Sequence, residues 1–66
     1  MSNIPYEIGL RLGKISIRKA EVSNLLTEAS KADQLMQFTK ALSLYQFVAL
    51  NEQFAERYLQ EIKKLD

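Results

Sequence analysis

The chain has no cysteine and no histidine among its 66 residues. The first absence excludes disulfides, a usual support of a small scaffold. The second removes the commonest ligand for zinc and haem, and the usual acid–base group near neutral pH. No cofactor is expected. An enzyme is not expected either, because a nucleophile would have to be Ser, Thr or Lys. Ser16, Ser23, Ser30 and Ser43 sit in no nucleophile motif. No apolar run approaches the roughly 18–20 residues of a membrane span. The N-terminus lacks the basic start and apolar stretch of a cleaved signal, so a cytoplasmic location is expected.

Strong net charge is also missing. Hydrophobic residues make up 47% of the chain and charged residues 26%, with a net charge of +1, which argues for a folded domain. A chain this short buries only about 60% of its unfolded surface and is marginal alone. With disulfides and histidine-held metal set aside, oligomerisation or a partner chain is the remaining support.

Helix breakers are confined to the start, at Pro5, Gly9 and Gly13. From Lys14 to Asp66 there is neither Gly nor Pro, and Leu, Ala, Glu, Gln and Lys dominate. That composition favours helix. The fold expected is all-α, a single small domain over residues 1–66 with two helices forming a hairpin, the C-terminal one long.

The N-terminal third has two readings. Ile8, Leu12, Ile15, Val22, Leu26 and Ala29 fall at helical spacing, with Lys19 as the one polar interruption. Asn3 could cap such a helix, with Pro5 tolerated in its first turn. Residues 8–12 and 15–18 also alternate with period two around Gly13-Lys14, so residues 6–19 could be extended. Gly9 and Gly13 weaken the helical alternative by about 1 kcal/mol each.

The break between elements is expected near Glu28–Asp33, where Ser30 or Asp33 could cap the next helix. That helix would run from about Ala32 to Lys64, with Lys63 and Lys64 favourable at its C-terminal end. Arg57 and Glu61 could pair at i,i+4. One apolar stripe passes through Leu35, Phe38, Leu42, Tyr45, Val48, Ala55, Leu59 and Ile62. A second passes through Leu44, Phe47, Leu50, Phe54, Tyr58 and Leu65. A helix with one neighbour needs only one stripe. The second is therefore the expected partner-binding surface, covered by a copy of the chain or by a heterologous helix. Phe38 and Tyr45 read as core. Phe47, Phe54 and Tyr58 read as interface, where aromatic residues contribute much of the binding energy.

Arg11, Lys14, Arg18 and Lys19 make the first 20 residues basic, with only Glu7 opposing them. On a helix, Arg11, Lys14 and Arg18 form a stripe that could meet an anionic partner, RNA or DNA included. No aromatic lies among them to stack on bases, and an anionic membrane surface is a further alternative; a solubilising or partner-matching role is favoured over both. Glu52 and Glu56 share a helix face, but two carboxylates alone make a weak cation site. No metal is expected.

Within residues 33–62, Leu42, Ser43, Tyr45 and Gln46 form a Leu-Ser-x-Tyr-Gln run. The segment resembles the C-terminal helix of bacterial type III secretion needle and inner-rod subunits, with Ile62 at a position often apolar in that family. The resemblance implies that Leu42, Tyr45 and Phe47 pack between protomers of a helical filament. The general architecture is also similar to the small two-helix co-chaperones of those systems, in which the second stripe would hold a helical partner. Either way it implies a place in a secretion apparatus.

Overall fold

The fold was obtained as a computed structural model, which describes residues 4–65. Two helices account for nearly all of them: α1 over Ile4–Gln34 and α2 over Phe38–Leu65. They pack side by side in antiparallel sense. The extended alternative for residues 6–19 is excluded, because α1 runs unbroken through Gly9 and Gly13. Asn3 lies outside the described residues.

The seam between the helices follows a strict 3,4 spacing, the period of a coiled coil. On α1 it runs through Ile8, Arg11, Ile15, Arg18, Val22, Leu25, Ala29 and Ala32. On α2 it runs through Ala41, Leu44, Val48, Asn51, Ala55, Tyr58, Ile62 and Leu65. Among the described residues of α1, every buried or half-buried residue except Glu7 lies on this seam. On α2 the exceptions are Phe54 and Glu61. Three alanines, Ala29, Ala32 and Ala41, close the seam near the turn, where small side chains let the backbones approach.

The break falls later than the sequence suggests. Ser30 and Asp33 lie inside α1 and cap nothing; the turn is Leu35–Gln37. Met36 takes a left-handed backbone conformation, with φ at 61°. Its N–H donates to Asp33 O at 3.0 Å, and the Gln37 N–H donates to Ala32 O at 2.8 Å. This pair of bonds is the Schellman arrangement, which satisfies the last carbonyls of a helix. Gln37 O then accepts from the Ala41 N–H at 2.9 Å and starts α2. The signal was missed because the left-handed position holds methionine, whereas glycine usually marks it. As a consequence α1, with 31 residues, is longer than α2, with 28.

The Cα atoms occupy a slab of 56 × 15 × 10 Å. A slab one helix thick has no interior beyond its seam. No large side chain is fully buried among the described residues.

Candidate functional site

The seam divides the hairpin surface into two broad faces, and the flanking rows of each helix decide their character. The first face is made by the row Leu12, Lys19 and Leu26 on α1 and the row Phe38, Tyr45, Glu52 and Leu59 on α2. Each row sits one step outside the seam, and all seven residues are exposed. Ile15 and Ala55 form the floor of a shallow groove between the rows, walled by Leu12, Lys19, Glu52, Glu56 and Leu59. Phe38 and Tyr45, read from the sequence as core, are 63% and 45% exposed. The reason is register. The seam passes between the two apolar stripes of α2, so three of the eight residues of the first stripe are consumed. Val48 and Ala55 are buried and Ile62 half-buried, while Leu35, Phe38, Leu42, Tyr45 and Leu59 stand outside.

The second face brings the two sequence-derived candidate surfaces together. Arg18 places its guanidinium 4.4 Å from the centre of the Phe54 ring, and the Lys14 ammonium lies 5.5 Å from the Tyr58 ring. Arg57, on α2 itself, approaches Phe54 from its own helix at 5.6 Å. A cation over an aromatic face is attracted by the ring quadrupole, most strongly where water is partly excluded. The long basic side chains also lay their methylenes over the rings. Arg11 pairs with Glu7 on its own helix and faces Glu61 across the seam at 3.9 Å. The hydrogen bond to Glu7, with both carboxylates nearby, raises the already high pKa of Arg11. Glu61 therefore turns to Arg11, and Arg57 leans on Phe54; the i,i+4 pair read from the sequence does not form.

The basic stripe is thus split. Arg11, Lys14 and Arg18 are engaged on the second face, whereas Lys19 belongs to the first. The second apolar stripe is split as well. Leu44, Tyr58 and Leu65 sit in the seam, and Phe54 is half-buried beneath Arg18. Only Phe47 and Leu50 point outward, at 54% and 45% exposure.

One seam residue carried no sequence reading. Asn51 is buried, accepts from Arg18 at Oδ1, and donates from Nδ2 to Phe47 O at 2.9 Å. Its signal was its spacing: Leu44, Val48, Asn51 and Ala55 follow the 3,4 period. A polar residue at such a position costs stability and selects register.

No group of three or more acidic side chains that could hold a metal ion occurs among the described residues. No helix there is long and apolar enough to cross a membrane. Compared with known protein families, curated proteins and solved structures, the chain matches none.

Proposed function

We propose that the protein is an assembly component that works by packing its helices against other helical chains, with no bond-making step. The observation that carries this reading is the exposure of apolar rows along a hairpin one helix thick. Leu12, Leu26, Phe38, Tyr45 and Leu59 line one face, and Phe47 and Leu50 flank the other. A soluble chain rarely leaves apolar area that extensive without a partner. The likeness of Leu42, Ser43, Tyr45 and Gln46 to type III secretion needle and inner-rod helices supports one setting, a bacterial secretion apparatus. There the chain would serve as a subunit or as a small chaperone of one.

The alternative is a nucleic-acid-binding or regulatory hairpin using Arg11, Lys14, Arg18 and Lys19. It has less support, because three of those cations are already engaged within the hairpin.

The test is light scattering behind size exclusion, on the purified chain alone and mixed with needle and inner-rod subunits. Association with itself or with a subunit is expected, and Phe47→Asp should weaken the heterologous complex. A chain that stays monomeric alone and in every mixture overturns the reading.

A further inference from the structure

We propose that the Leu12–Tyr45–Leu59 face is a homodimer interface on which α1 lies over α2 of the second copy, with both turns at the same end. The inference deepens the assembly reading, and rests on it only in taking the exposed apolar rows to be covered by helices.

Area supplies the first argument. The chain exposes 5151 Å². A compact monomer of this mass would expose about 4,300 Å². The excess, roughly 850 Å², is close to the ~800 Å² that each partner contributes to a standard interface. The rows of the first face expose five large apolar side chains, Leu12, Leu26, Phe38, Tyr45 and Leu59. On the opposite face the flanking rows are Glu7, Lys14, Glu21 and Glu28 on α1 and Lys40, Phe47, Phe54 and Glu61 on α2, six charged residues of eight, with Phe47 the one exposed large apolar side chain among them.

Charge supplies the second argument, and it selects both the occupant and its orientation. Lys19 is the central residue of α1 (Ile4–Gln34), and by the hairpin register it lies level with Glu52 and Glu56 on α2. The three line one groove, Lys19 on the α1 side and the two glutamates on the α2 side. Neither Lys19 nor Glu52 forms an ion pair or side-chain hydrogen bond among the described residues. A two-fold interface must be its own complement, and a cation on one helix beside carboxylates on the other meets that condition. A two-fold axis along the helices sets Lys19 over Glu52 and Glu56 of the second copy, twice. It also sets Leu12 over Leu59 and Leu26 over Tyr45. A two-fold axis across the helices sets Lys19 over Lys19 and carboxylate over carboxylate, which repel. The arrangement with both turns at one end is the one the charges accept.

The chain has no native cysteine, so engineered cysteines report the geometry cleanly. The wild-type chain should sediment at twice its 7.6 kDa mass. Leu12→Asp and Tyr45→Asp, both at exposed positions, should abolish the dimer, while Phe47→Asp leaves it intact. Under mild oxidation, Lys19→Cys mixed with Glu52→Cys should give a mixed disulfide, and each variant alone little self-linked product. A wild-type monomer at all concentrations overturns the proposal; if that monomer still binds a secretion subunit, the assembly reading stands without it. Efficient self-linking of Lys19→Cys overturns the orientation. A dimer lost in Phe47→Asp but kept in Leu12→Asp and Tyr45→Asp overturns the choice of face.

Discussion

Arg18 reaches across the seam to Asn51, its Nη1 donating to Oδ1 at 3.1 Å. Two polar side chains thus meet where a coiled coil ordinarily places apolar ones. Arg18 avoids full burial by lying over the Phe54 ring, with its charge near the surface. A double-mutant cycle on Arg18→Ala and Asn51→Ala should show a coupling of about 0.5–1.5 kcal/mol. Arg18→Ala should be the costlier single change, because it also uncovers Phe54. Urea titrations followed by circular dichroism would measure both. A coupling near zero would mean that the pair contributes nothing beyond geometry.

Met36 holds a left-handed conformation that costs a residue with a side chain about 1 kcal/mol. Met36→Gly should therefore raise stability by roughly 0.5 kcal/mol, part of the relief being offset by the freedom glycine gains in the unfolded chain. Met36→Val should lower it, since β-branching makes the conformation worse. Melting temperatures in the order Gly above Met above Val are the expected result.

Gly9 and Gly13 lie on the outer side of α1, and an added Cβ at either would meet nothing within 4 Å. Each Gly→Ala change should stabilise the helix by roughly 0.5–1 kcal/mol. No change in thermal midpoint for either variant would mean that the first turns of α1 are frayed in solution.

Phe54→Leu keeps an apolar side chain on the second face but removes the ring under Arg18 and Arg57. A loss of about 0.5–2 kcal/mol is expected from the cation–ring contacts. Restoring stability with Tyr at the same position, while Leu stays deficient, would separate the ring's electrostatics from simple burial.

Because Arg11 is ion-paired and Lys14 and Arg18 lie against aromatic rings within the hairpin, salt-sensitive binding to RNA or DNA is not expected. Fluorescence anisotropy with short duplex and single-stranded probes at about 50 mM salt would reveal it, since phosphate contacts are strongest at low salt. Affinity in the micromolar range or better, falling steeply with added salt, would restore the nucleic-acid alternative.

Much of the hairpin was readable from residue order. The apolar rows were visible by their helical spacing: Ile8, Leu12, Ile15, Val22 and Leu26 on α1, Phe38, Tyr45, Val48, Ala55 and Leu59 on α2. So was the single polar interruption at Lys19. The assignment of those rows was not readable. Tyr45 looked like core because it shares a stripe with Val48, which is buried; Arg11 and Arg18 looked like surface because they are charged. The turn at Met36 carried no glycine to announce it, and the apparent caps Ser30 and Asp33 were absorbed into α1.

Residue order by itself determined that the chain is helical after Gly13, while residues 6–19 stayed open between helix and an extended form until α1 was seen to run through them. The absence of Gly and Pro after Gly13 and the 3.6-residue recurrence of apolar side chains require nothing from the rest of the molecule. Only the tertiary structure decided which stripe each helix turns toward the other. A periodic pattern marks apolar rows without saying which neighbour covers them. The choice was made by backbone approach at Ala29, Ala32 and Ala41, by the hydrogen bond between Arg18 and Asn51, and by aromatic rings that let cations sit beside the seam. Those interactions join residues far apart in the chain, and they leave Leu12, Tyr45 and Leu59 facing outward around Lys19 and Glu52.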